Sequence, residues 1–192
     1  MSSLGKLLDE VRACTRCAPH LPHSPRPVLQ LDAAARILIA GQAPGRAVHA
    51  SGVPFDDASG ERLRTWLGLT RARFYDPQSI AILPLGFCFP GTTRAGDLPP
   101  RSECAPAWRA ALLAHLDQLQ LTIVLGRYAQ AYHLPAAAGG VTAGEARSQV
   151  LDPQQSSGQR RDPIRLLPDY HRTPTIAPQR LTITAISSRG AS

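Results

Sequence analysis

Four cysteines and one glycine-bounded turn are the parts of this 192-residue sequence whose types and spacing could do chemistry. Cys14 and Cys17 form a Cys-x-x-Cys pair, a strong local signal, because two thiols so close in sequence can reach one metal centre. Cys88, in Gly86-Phe-Cys-Phe-Pro-Gly91, and Cys104, in Arg101-Ser-Glu-Cys-Ala-Pro106, stand far from that pair along the chain. Metal ligation and plain burial are the two readings of these thiols, since disulfides do not persist in a reducing compartment. The second candidate, Gly41-Gln42-Ala43-Pro44-Gly45, has glycine at both ends, which lets the backbone turn sharply and come close to a ligand. Alone it is a turn; with an anionic ligand it would serve a small-molecule enzyme, although no nucleotide-binding fingerprint accompanies it.

These groups need elements to hold them. Arg36-Ile-Leu-Ile-Ala40 is a continuous apolar run that reads as a buried parallel strand opening into the Gly41 turn. Ile80 to Leu85 and Thr122 to Leu125, the latter closed by Gly126, read as two more strands. Leu63, Trp66 and Leu67 at helical spacing predict a helix from Ser59 to about Leu69, with Gly68 near its stop. A further helix is expected to open at Ser102 as N-cap, with Glu103 in its first turn and Trp108, Leu112, Leu113 and Leu116 along its apolar face. The N-terminal stretch, a short helix with Leu4, Leu7, Leu8 and Val11 followed by the cysteine pair and a proline-rich run to Pro27, is expected to be an arm laid over the domain. Strands alternating with helices predict an α/β fold, a three-layer αβα sandwich around a central, mainly parallel sheet.

A chain of this length has room for one such domain, burying about 70% of the surface its unfolded form would expose. The net charge of +7 rests almost wholly on arginine, Lys6 being the one lysine. That bias partly reflects a GC-rich genome, and it also suits a polyanionic partner such as nucleic acid. No stretch approaches the ~20 apolar residues of a membrane helix, and the N-terminus lacks the basic-then-apolar pattern of a signal peptide, so a cytoplasmic protein without a membrane partner is expected. From residue 146 the composition turns to Arg, Ser, Pro and Gln with little to bury. The division expected is therefore a domain over 1–145 and an irregular tail over 146–192, in which Leu181-Thr-Ile-Thr-Ala-Ile186 is the one strand-like run, suited to a sheet edge.

Read onward from the turn, GQAPGRAVHASGVPFDDASGERLRTWLGL resembles the first motif of the uracil-DNA glycosylase superfamily. The likeness is greatest to its iron–sulfur branch, with a Gly-Glu-Ala-Pro-Gly loop and a later Gly-x-Pro-Phe, and it reaches from Cys14 to about Tyr132. The resemblance implies a monomeric DNA-repair enzyme acting on DNA that contains uracil or a related deaminated base, whose N-glycosidic bond it hydrolyses. Gly41, Gln42, Ala43, Pro44 and Gly45 would then meet the flipped-out nucleotide, and Phe55 would stack on its base, helping offset an extrusion cost of a few kcal/mol. Cys14, Cys17, Cys88 and Cys104 follow the branch's order and approximate spacing, which implies a [4Fe–4S] cluster; zinc would accept the same four thiolates.

The sequence departs from the branch in three places: at Gln42, at the base-reading Asn and at the His-Pro-Ser segment. Gln42 stands where the branch carries Glu, and Ala43 stands where other branches, with Gly-Gln-Asp-Pro-Tyr, carry Asp. Gln42, His49 and Asp57 are the candidates left to orient water, with Asp56 beside them; the two aspartates also read as an Asx turn feeding the next helix. Leu83-Pro-Leu-Gly86 lacks the branch's base-reading Asn, and no His-Pro-Ser follows Tyr132. His171, in Tyr170-His-Arg-Thr-Pro174, is the nearest substitute, and a frameshifted gene end would produce such a tail. The expectation is thus a glycosylase impaired by its C-terminal segment, with a catalytically inactive iron–sulfur nucleic-acid-binding protein or frameshifted product as the alternative.

Overall fold

The computed structural model describes residues 3–94 and 96–134 and the backbone of residues 183–187. In chain order the elements are α1 (Ser3–Arg12), a 3-10 turn (Ala18–His20), β1 (Ile37–Ala40), α2 (Arg46–Ser51), α3 (Ala58–Leu67), α4 (Arg71–Phe74), β2 (Ile80–Ile82), β3 (Thr92–Thr93), β4 (Gly96–Asp97), α5 (Cys104–Leu113), β5 (Leu121–Leu125), α6 (Arg127–His133) and β6 (Ile183–Ser187).

The central strands are apolar at every position but Thr122, because both faces of their sheet are covered. Ile37 and Ile39 of β1, Ile80 and Ile82 of β2, and Leu121, Ile123 and Leu125 of β5 pack on one face with Leu63 of α3 and Phe74 of α4. Leu38 and Ala81, one residue out of step, pack on the other with Leu4, Leu8 and Val11 of α1 and Leu112 of α5. This period of two gives the three-layer α/β sandwich. The sheet order is β2-β1-β5-β6. β1 pairs in parallel with β2 (Leu38 opposite Ala81) and with β5 (Leu38 opposite Thr122), while β6 runs antiparallel to β5 at the edge, Ile183 opposite Leu125. The strand-like run near 181–186 thus does form an edge strand.

The N-terminal arm is more deeply built in than expected. Besides burying the apolar side of α1, it runs along the outer edge of β2, where Gln30 and Ile82 exchange backbone hydrogen bonds and the Gln30 amide Nε2 donates to Ile80 O at 2.8 Å. A sheet edge that would otherwise present unpaired backbone is thereby closed.

Three boundaries differ from expectation. β2 ends at Ile82 rather than Leu85, because Pro84 has no N–H to continue a ladder. The chain nevertheless stays beside β1: Leu83 N–H donates to Ile39 O, Leu85 N–H to Gly41 O and Gly86 N–H to Gln42 O. α5 starts at Cys104 with Glu103 as its cap residue and no side-chain cap bond, while the Ser102 hydroxyl meets Glu103 Oε2 at 3.2 Å. α3 stops at Leu67, two residues short of the predicted end, because Gly68 takes the left-handed conformation at φ 64°. The division at residue 145, His171 and the tail apart from 183–187 lie outside the described residues. No helix among the described residues is long and apolar enough to cross a membrane.

Candidate functional site

The Gly41–Gly45 turn leaves the C-terminal end of β1, where a doubly covered sheet opens to solvent. Its backbone is pinned by the donors from Leu85 and Gly86, and the Gln42 amide Nε2 donates to Leu98 O at 3.1 Å, tying the β3–β4 hairpin to it. Pro44 is buried; Gln42, Ala43 and Gly45 are half-buried. Phe55 lies against this turn, for a methyl group placed on Gly41 would stand 3.4 Å from its ring. The ring is half-buried and meets Phe74 edge-on at 6.2 Å, so one side belongs to the core while the other borders the turn.

Phe55 holds a left-handed backbone, φ 54°, the one non-glycine residue among those described to do so. A bulky side chain adopts that conformation only where its surroundings enforce it. The enforcing partners are in α3. Gly60 has no Cβ, and one placed there would fall 1.8 Å from Phe55 O. Buried Arg64 donates to the same carbonyl at 3.3 Å and to Tyr75 Oη at 3.1 Å. These bonds aim the Phe55 ring from behind.

The candidates for orienting water are not alike. Asp57 is the N-cap of α3, its Oδ1 accepting from Gly60 N–H at 2.8 Å and from the Ser59 hydroxyl at 2.6 Å. The Asx-turn reading is therefore the structural fact, and it leaves Oδ2 facing the turn: a methyl group on Gly45 would lie 3.9 Å from it. The same point lies 3.6 Å from Oδ2 of Asp97, on β4, a residue that sequence reasoning did not single out. Asp56 is committed elsewhere, accepting from Arg71 at 2.9 Å, and that hydrogen bond lowers its carboxyl pKa. His49 stacks on His23 at 5.2 Å and tilts on Phe89 at 6.1 Å, so its ring contacts are with these two rings rather than Phe55. Burial, with the charges of His23 and Arg26 beside it, lowers its pKa.

All four cysteines line one pocket, with Arg16, Arg101, Phe87 and Trp108 among its other walls. They arrive from three segments. Cys14 and Cys17 flank the exit from α1, Cys88 lies in the loop after β2 between buried Phe87 and Phe89, and Cys104 opens α5. Burial raises the thiol pKa of Cys17, pushes that of Cys88 to about 11 and that of Cys104 to about 12; the neighbouring cysteines add to each rise. The thiols share a pocket without converging on one point: among the described residues no three His, Cys, Asp or Glu groups are spaced to hold a single ion. As a donor set, four sulfurs around an apolar-walled hollow fit a cluster of several irons, in which each thiolate binds its own iron.

Arg109, missed at the sequence level, is fully buried within α5. It donates to Leu83 O at 2.8 Å and Pro84 O at 2.9 Å, meets His133 Nε2, and lies 5.1 Å from the Tyr132 ring. Burial lowers its pKa to about 10 and, with the Arg109 charge, that of His133 to about 4. A lone arginine in a helical pattern reads as surface, so nothing local announced it.

The family model of the uracil DNA glycosylase superfamily matches residues 29–182. The match begins after the Cys14 and Cys17 pair and continues through the segment where the composition changes.

Proposed function

Because the chain belongs to the uracil DNA glycosylase superfamily, a glycosylase-like protein acting on DNA, we propose that it hydrolyses the N-glycosidic bond of uracil or a related deaminated base. The observation that carries this reading is that Asp57 Oδ2 and Asp97 Oδ2 both lie within 4 Å of the point where a Gly45 side chain would begin, at 3.9 and 3.6 Å, beside a turn that holds Gln42 and Ala43. In this reading the flipped base lies on Phe55, and the Gly41–Gly45 backbone meets the sugar and phosphate. One of the two aspartates orients a water toward the sugar carbon and opposes the positive charge that develops there. The new C–O bond forms as the C–N bond breaks, its electron pair leaves with the base, and the water's proton is taken up by carboxylate or solvent.

Within the superfamily the cysteine pocket favours the iron–sulfur branch. Cys14, Cys17, Cys88 and Cys104 would hold a [4Fe–4S] cluster, with zinc the alternative for the same thiolates. The group would supply a cross-link between the N-terminal arm, the loop after β2 and the start of α5.

The test is release of free uracil from a single-stranded oligonucleotide by freshly purified protein and by Asp57→Asn and Asp97→Asn. Loss of one such electrostatic group costs about 10²–10³-fold in rate, and a drop of that size is expected in at least one variant. Asn retains the capping oxygen of residue 57, so the fold is kept. Equal rates in all three proteins would remove both aspartates from the chemistry. The lack of a His-Pro-Ser segment favours a second reading, a DNA-binding protein without catalysis; tight binding of the same oligonucleotide with no uracil release would establish it.

A further inference from the structure

Two of the four pocket sulfurs, one on the N-terminal arm and one on α5, have an N–H donor of their own. Trp108 Nε1 donates to Cys14 Sγ at 3.3 Å, and the Phe87 backbone N–H donates to Cys104 Sγ at 3.3 Å. A neutral thiol is a weak acceptor and gains little from such a bond, whereas an anionic sulfur gains a charge-assisted one. These two donors therefore favour the ligated, anionic form of Cys14 and Cys104. Buried Arg109 adds positive charge beside Cys104 with no carboxylate among its hydrogen-bond partners, whereas Arg101 at the pocket wall is paired with Glu103.

The Phe87 donor is a backbone group set by the fold. Trp108 is different. It sits four residues after Cys104, on the same face of α5, with its ring in the pocket wall and the Arg16 guanidinium 5.6 Å from the ring centre. Its indole N–H spans from α5 to the arm, where Cys14 is otherwise held only by its own short segment.

We propose that Trp108 is a positioning residue for the metal centre: its N–H fixes the Cys14 sulfur as a ligand and raises the reduction potential of a cluster bound there. The proposal rests on the iron–sulfur reading above. Reduction adds an electron to a centre that is already anionic, and N–H bonds to its sulfurs favour the reduced form. Removing one donor must then shift the couple toward the oxidised form.

The experiment is a redox titration, with dithionite as reductant, of the full-length iron-loaded protein and Trp108→Phe, followed by absorbance near 400 nm and by electron paramagnetic resonance. The variant is expected to hold the same iron with about tenfold less reduced form at a given ambient potential, equivalent to 59 mV for one electron. Equal iron and an unchanged midpoint would overturn the role of Trp108 while leaving the cluster in place. A wild-type protein with neither iron nor the absorbance band would overturn the cluster and this proposal together. If Trp108→Phe loses iron, the comparison is repeated in a Trp66→Phe background with the benzothienyl analogue of tryptophan, which exchanges the ring N–H for sulfur at constant shape. A midpoint unmoved there overturns the proposal too.

Discussion

Replacing a glycine inside a helix by alanine ordinarily stabilises a protein, by about 0.5–1 kcal/mol. At Gly60 the opposite is expected. The new Cβ would stand 1.8 Å from Phe55 O and 2.7 Å from Phe55 Cβ, whereas real Cβ contacts stay beyond 3.0 Å. Either Phe55 or the first turn of α3 must retreat by more than an ångström. The obstacle is backbone already held at positive φ, so no side-chain rotation relieves it. Retreat breaks the Asp57 cap on Gly60 N–H, worth about 1 kcal/mol, and the Arg64 bond to Phe55 O, worth about 1.5–3 kcal/mol for a charged donor. Gly60→Ala should thus destabilise by about 3 kcal/mol, lowering Tm by roughly 6–12 °C for a chain of this size. Urea unfolding gives the free energy, and a thermal melt gives the shift. Asp57→Ala is the control and should lose only the cap. A Gly60→Ala protein as stable as wild type would show that α3 does not press on Phe55 as described.

Three further outcomes follow from the buried groups. Arg109→Met should cost about 2–4 kcal/mol, because two carbonyls at the end of β2 lose their donor, and Arg109→Lys should recover little, since one ammonium cannot reproduce the planar fork; urea midpoints of the two variants decide this. His133 has its pKa lowered to about 4 in the folded chain, below its unfolded value, so the stability it confers is present above pH 6.5 and is lost as pH falls toward 4. Wild type should therefore lose more stability between pH 7 and pH 5 than His133→Gln, and identical losses would refute the buried, neutral imidazole. Replacing any one of Cys14, Cys17, Cys88 or Cys104 by Ala should lower iron content measured on the purified protein; full iron in all four variants would exclude these cysteines as its ligands.

The sheet was readable because its signal is local. Ile37 to Ala40 is apolar without a break and Leu121 to Leu125 is broken only by Thr122, as suits strands covered on both faces, and Gly41 and Gly126 punctuate them. The 29-residue stretch from Gly41 named the family for a similar reason, since its glycines and Phe55 are fixed by backbone geometry that the motif preserves. What was not legible depends on distant groups. α2 buries only Val48, so six residues carry no periodicity to detect. β3 and β4 are two exposed residues each, and Asp97 reaches Gly45 only because that hairpin folds back over the turn. The positive φ of Phe55 runs against its own preference and is imposed by Gly60 and Arg64, which no reading of residue 55 alone would supply.

The two candidate centres are also parts of one backbone arrangement. Leu85 and Gly86 donate to the carbonyls of Gly41 and Gln42, and within three residues the same strand exit becomes the Cys88 loop. Just upstream, Arg109 holds the carbonyls of Leu83 and Pro84 from α5, the helix that begins at Cys104. A group bound by Cys88 and Cys104 would therefore clamp both ends of the segment that supports the turn, although it touches no substrate. A structural cluster lost from such a place would act on turnover through the position of the Gly41–Gly45 backbone. In protein partly depleted of iron, the fraction of active molecules would fall with metal content, while the KM of those that remain would not change.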